Sequence, residues 1–140
     1  MSKIAIVFWS GTGNTAQMAQ AISEGASVAG AETTLINASR FKAEDMDAFD
    51  SFAFGCPAMG AEVLEESEFE PMFSDVETAL SGKRIALFGS YGWGDGQWMR
   101  DWVDRCKASG INLINEGLIA NESPNDADVA NCKALGASLN

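Results

Sequence analysis

Ser10-Gly11-Thr12-Gly13-Asn14-Thr15 sits where an apolar run stops and a helical pattern begins, and its residue types suit an anion. Gly11 and Gly13 allow a tight turn that brings backbone N–H groups close to a ligand, and Ser10, Thr12, Asn14 and Thr15 add side-chain donors. The unpaired amides and positive dipole end of the following helix would face the same point. No Lys or Arg lies in the loop, so neutral donors alone would hold the anion. Two later loops share its unusual composition: Pro57-Ala58-Met59-Gly60, and Gly89-Ser90-Tyr91-Gly92-Trp93-Gly94-Asp95-Gly96. Met59 and Trp93 are placed either to sandwich a flat aromatic ring or to fill the core. Glu62 is either a hydrogen-bond acceptor for a ring imide or a solvated surface acid.

The first loop also fits G-x-G-x-x-A through Gly11, Gly13 and Ala16, with Glu32 at roughly the distance of a ribose-binding acid. Against a dinucleotide, the chain has one mononucleotide half with a strand to spare, and so many hydroxyl and amide side chains suit a terminal phosphate monoester better. A P-loop is excluded because no Lys follows the second glycine.

These loops need a frame, and the apolar pattern supplies it. Ile4 to Trp9 reads as a central parallel strand covered on both faces, followed by a helix that Gly30 ends. Thr33 to Ile36, Phe52 to Cys56 and Ile85 to Phe88 read as further strands, and Leu113 to Ile119 as a fifth, at an edge because Asn115 and Gly117 weaken it. Helical spacing recurs over Phe41 to Phe49, Glu65 to Leu80, the stretch carrying Trp98, Trp102 and Cys106, and Pro124 to Leu139. Strands alternating with helices predict an α/β doubly wound five-stranded parallel sheet with helices on both faces. The unusual loops follow strands one, three and four, at the end where such sheets bind ligands.

The composition narrows the class. At 140 residues the chain is expected to be a single domain, residues 1–140. A net charge of −11, from 20 acids against 9 bases, argues against nucleic acid and anionic membrane and favours basic protein surfaces. Cys56, Cys106 and Cys132 are odd in number and lack C-x-x-C spacing, which suggests neither a disulfide framework nor zinc. No signal peptide or membrane-length apolar run is read, so the expected location is cytoplasmic. With no histidine, the commonest general base and metal ligand is missing, and neither catalytic nor metal-binding residues are expected.

Taken together, the phosphate loop, Cys56-Pro57-Ala58-Met59-Gly60-Ala61-Glu62 and Gly89 to Gly96 resemble, in order and spacing over essentially the whole chain, the flavodoxins of the short-chain clostridial type. The resemblance implies the strand order 2-1-3-4-5 and a low-potential electron carrier with noncovalently bound FMN, working mainly between semiquinone and hydroquinone. It implies that Ser10, Thr12, Asn14 and Thr15, with Gly11 and Gly13 shaping the loop, hold the phosphate, and that Ser90 adds a contact. Pro57, Ala58, Met59, Gly60, Ala61 and Glu62 would form one flavin loop, and Tyr91, Gly92, Trp93 and Gly94 the other. Met59 and Trp93 would cover the two ring faces, Glu62 would accept N3–H, and backbone amides of the second loop would meet the pyrimidine oxygens. Ala61 departs from an acid or asparagine found in many relatives, and Pro57 from a serine found in some.

A flip of the Met59–Gly60 peptide, easy because Gly60 tolerates positive φ, would tune the cofactor. Glu62, Glu65, Glu66, Glu68 and Glu70 would steer basic-surfaced redox proteins, among them reductases and oxidoreductases normally served by ferredoxin, to a monomeric carrier. A small FMN-dependent quinone or nitro reductase is the alternative. A phosphoacceptor receiver fits poorly, because Gly55-Cys56 and Trp9-Ser10 stand where its acids would be.

Overall fold

In the computed structural model, which describes residues 2–140, all five strands are parallel and lie in the order β2-β1-β3-β4-β5. They are β1 (Lys3–Phe8), β2 (Glu32–Asn37), β3 (Ser51–Gly55), β4 (Arg84–Tyr91) and β5 (Leu118–Asn121). The helices are α1 (Asn14–Val28), α2 (Phe69–Val76), α3 (Gln97–Ala108) and α4 (Asp126–Ser138). Successive side chains of a strand point to opposite faces, so the unbroken apolar runs of the central strands require cover on both. Ile4, Ile6, Ala53, Ala86 and Phe88 pack with Met18, Ile22 and Ala26 of α1 and Cys132 of α4. Ala5, Val7, Phe52, Phe54, Ile85 and Leu87 pack on the other face with Phe69 and Phe73 of α2 and Trp98 and Trp102 of α3.

Close backbone approach holds the first face together. A Cβ on Gly25 would lie 2.0 Å from the Lys133 carbonyl oxygen, and one on Gly136 would lie 2.0 Å from that of Ile22. Glycine at both places lets α1 and α4 touch backbone to backbone. On the second face Arg105 of α3 reaches Glu70 at 2.8 Å and Glu77 at 2.9 Å while its guanidinium stacks over Phe73. Arg105 thereby ties the helix that follows one loop to the helix that follows the other.

Three elements differ from the sequence reading. The helix read over Glu65 to Leu80 is α-helical only over Phe69–Val76 and tightens to a 3-10 turn at Glu77–Ala79. The stretch Leu113 to Ile119 is not one strand: Leu113 makes an isolated bridge to Ile85, and regular pairing begins only at Leu118. Between them the Asn115 side chain donates to the Leu87 carbonyl at 3.0 Å and accepts from the Leu87 N–H at 3.2 Å. A side chain thus replaces the strand backbone beside β4, and Gly117 takes φ 88°. The segment Phe41 to Phe49 is tightened into a 3-10 helix over Ala43–Ala48 rather than an α-helix.

Candidate functional site

A cavity of about 530 Å³ opens at the carboxyl ends of the strands, a size typical of small-molecule sites. Gly11, Thr12 and Asn14 line one end, Pro57, Ala58 and Met59 a second wall, and Ser90, Tyr91 and Gly92 a third. The three loops singled out in the sequence therefore converge. Trp9, Glu122 and Ser123 also line it, and they escape the sequence reading. That reading takes Trp9 as the end of a strand, whereas its ring packs on Gly11, where a Cβ would lie 3.1 Å away, and its Nε1 donates to Glu68 at 2.9 Å. Glu122 and Ser123 carry no motif; only the topology, which brings the end of β5 beside β4, reveals them.

The phosphate loop is braced from within. Ser10 Oγ accepts from the N–H groups of Gly13 at 3.1 Å and Ala16 at 3.2 Å, so it shapes the loop and the start of α1. Gly13 adopts φ 98°, which a side chain would resist. Thr15 is buried, and its hydroxyl is 2.7 Å from that of Ser90, linking α1 to β4. Gly11, Thr12 and Asn14 line the cavity, Ser10 and Gly13 beside them are half-buried, and Thr15 is buried. Glu32 begins β2, at the far end of the strand from the cavity, which removes the ribose-acid reading.

The first flavin-type loop is a four-residue turn in which Glu62 N–H donates to the Met59 carbonyl at 2.8 Å. Its central peptide is Gly60–Ala61, one residue beyond the Met59–Gly60 peptide singled out in the sequence. Glu62 has φ 53°, and its carboxylate lies against Gly94, where a Cβ would be 2.4 Å from Oε1. That Oε1 is buried and has no hydrogen-bond partner among the described residues. Gly60 and Ala61 are exposed, Trp93 is 64% exposed, and these three, with Glu62 and Gly94, lie beside the cavity rather than in its wall. The core alternative for Trp93 is thereby excluded: a large indole on the loop that forms the third wall stands open to solvent.

The acids after this loop are mostly engaged. Glu65 is buried, and its carboxylate accepts from the N–H groups of Ser67, Glu68 and Phe69 at 2.8, 2.7 and 2.9 Å. Burial opposes the charge, but these amides outweigh it and hold the Glu65 carboxyl below the usual range. The Glu65 N–H donates to the buried Cys56 sulfur at 3.4 Å. Burial pushes the Cys56 thiol up to about 12, which leaves it protonated and a poor nucleophile. Glu70 pairs with Arg105 and Glu68 with Trp9, so of the acids expected to steer partners only Glu66 is exposed without such a role. Among the described residues no His/Cys/Asp/Glu cluster could hold a metal ion, and no helix is long and apolar enough to cross a membrane.

The comparisons with known proteins agree with one another. A family model described as Flavodoxin matches residues 6–135. A flavodoxin of Clostridium beijerinckii is 47% identical over 134 residues, covering 96% of each chain. One from Megasphaera elsdenii is 43% identical over 133 residues, 95% of each. The solution structure of the two-electron reduced Megasphaera elsdenii flavodoxin superposes with a TM-score of 0.86 at 42% identity, covering 97% of each chain.

Proposed function

This chain belongs to the flavodoxin family and carries electrons on bound FMN rather than turning over a substrate; from that premise we propose how its own residues hold and tune the cofactor. Bound FMN supplies the one-electron redox chemistry, and the protein supplies position and environment. Ser10, Thr12 and Asn14, with the loop amides, hold the phosphate at the start of α1; Ser10 also accepts from two of those amides, and Thr15 links the loop to Ser90. With no cation in the loop, its fixed N–H and O–H dipoles carry the whole anion. Met59 and Trp93 cover the two ring faces, a role that gives an indole left 64% exposed a partner to stack on. Rotation of the Gly60–Ala61 peptide turns the Gly60 carbonyl into an acceptor for a proton at the ring edge.

One observation carries this reading. Glu62 Oε1 is buried without a partner among the described residues, between the turn at 59–62 and Gly94. A buried acceptor left unpaired is costly, and a ring imide N–H satisfies it. The family's structural relative and the convergence of the loops on one cavity support FMN as the group that brings that N–H.

Partners and location follow from the same proposal. The carrier works as a monomer in the cytoplasm, where its three free, buried cysteines stay reduced, and it serves basic-surfaced redox proteins. The flavodoxin relatives do not support the quinone or nitro reductase alternative.

The absorption spectrum of the purified protein, followed by FMN titration of the apoprotein, tests the assignment. Flavin bands and stoichiometric binding are expected. Glu62→Ala should weaken FMN binding about tenfold or more, the scale of a lost hydrogen bond to a charged acceptor. Unchanged affinity in that variant would overturn the role given to Glu62.

A further inference from the structure

The first ring-binding loop leaves the sheet at Cys56, just after β3 ends at Gly55, and comes back to it. Cys56 is fully buried, and its N–H donates to the Phe88 carbonyl at 3.2 Å. Its sulfur accepts from the N–H of Glu65, where the loop returns, at 3.4 Å. Its carbonyl accepts from a side chain of another element: Nε1 of Trp98 donates to it at 3.1 Å. Trp98 stands in the first turn of α3, just past Gly96, where the second ring-binding loop ends. Its ring centroid is 5.7 Å from that of Tyr91, which lines the cavity near the start of the same loop. One buried indole therefore joins the root of the first loop to both ends of the second.

The junction has no slack. A Cβ on Gly89 would lie 2.2 Å from the Cys56 carbonyl oxygen and 3.1 Å from Trp98 Cζ2. Both partners of the Trp98–Cys56 bond are buried, so no water takes the place of the indole N–H. Losing that donor leaves a buried carbonyl in need of another, which moves the backbone at the root of the loop. The phosphate loop is braced separately, by Ser10 within it and by Thr15 on Ser90.

On the FMN reading above, we propose that Trp98 is a positioning residue for the flavin ring: its N–H on the Cys56 carbonyl locks the two ring-binding loops to each other and keeps the slot between them formed in advance. Trp98 touches no reacting atom and acts through the loops. A slot already formed loses no binding energy to ordering its walls. The contribution of Trp98 therefore falls on the ring end of the cofactor and not on the phosphate end.

Trp98→Phe keeps an aromatic ring beside Tyr91 and removes the donor. The test titrates full-length apoprotein, parent and variant, with FMN, riboflavin and inorganic phosphate by calorimetry. FMN and riboflavin should each bind the variant about fivefold to tenfold more weakly, the scale of one hydrogen bond, while phosphate affinity stays at the parent value. If Trp98→Phe does not fold, position 98 takes a tryptophan analogue with sulfur in place of the N–H, which fills the same space and should give the same pattern. Flavin affinities equal to those of the parent, even with a lower melting temperature, would make Trp98 a core residue only and overturn the proposal. An equal weakening of all three ligands would overturn it too, because a general loosening of the site produces that result. A parent that binds phosphate but neither flavin would overturn the FMN reading itself, and this proposal with it.

Discussion

A Cβ on Gly60 would meet no atom within 4 Å, and neither Gly60 nor Ala61 occupies positive φ in this conformation. Rotating the peptide between them converts the turn to one that needs positive φ at its third position, which is Ala61. The sequence alone directs attention to Gly60, but the hydrogen bond from Glu62 to Met59 moves the demand one residue along. Alanine resists the left-handed region by about 1 kcal/mol and glycine does not. Ala61→Gly should therefore raise the maximum fraction of one-electron-reduced flavin in a redox titration, by roughly fivefold in the corresponding equilibrium constant. Gly60→Ala should leave that fraction nearly unchanged. An unaltered fraction in Ala61→Gly would rule out the flip. The residue scale also separates side chains that face the ligand from those that build its surroundings. Thr12 lines the cavity and Glu62 keeps an unpaired oxygen, while Ser10 accepts from two loop amides and keeps its hydroxyl hydrogen free, and Thr15 and Glu65 bond to the protein.

At the scale of elements, two contacts decide how well the loops are held. The α1–α4 contact depends on the absence of side chains at Gly25 and Gly136. Gly136→Ala places a methyl group 2.0 Å from the Ile22 carbonyl oxygen and forces the helices apart. Overpacking of this kind should cost about 1–3 kcal/mol in denaturant unfolding of the apoprotein. The start of α2 depends on Glu65, which satisfies three backbone N–H groups from a buried position. Because its carboxyl is held below the unfolded value near 4.5, its contribution is complete above that pH and is lost as pH falls through the lowered folded value. Glu65→Ala should destabilise the protein by about 1–3 kcal/mol at neutral pH, and the gap to the parent should narrow below about pH 4. A gap independent of pH in urea unfolding would contradict this account. Through Cys56 and α2, Glu65 also ties the first flavin loop to the helix that Arg105 fastens to α3.

At the scale of the molecule, charge acts through its sum rather than through one acidic patch. Of the acids from Glu62 to Glu70, only Glu70 is neutralised, by Arg105; Glu65 is buried against backbone amides, Glu68 bonds to the uncharged Trp9, and the net charge of −11 remains. Association with a basic redox protein should accordingly be fast at low salt. Its rate constant should fall about tenfold or more as ionic strength rises from roughly 0.01 M to 0.3 M in stopped-flow measurements. Insensitivity to salt would exclude electrostatic steering.

How much is legible in the sequence follows from the range over which each feature is determined. The central strands, the helix after the phosphate loop and the three ligand loops are written in local patterns: apolar runs, three- and four-residue spacing, glycine clusters. These predict the sheet class from the chain alone, and the order β2-β1-β3-β4-β5 follows from the family resemblance. Long-range contacts decide the rest. Asn115 displaces regular pairing by bonding to Leu87, which is distant in sequence, so β5 starts at Leu118. Glu62 and Glu65 look alike in the chain, yet the fold buries an unpaired oxygen on one and surrounds the other with amides. Glu122 lines the cavity only because β5 lies beside β4, a neighbour relation that no local pattern encodes.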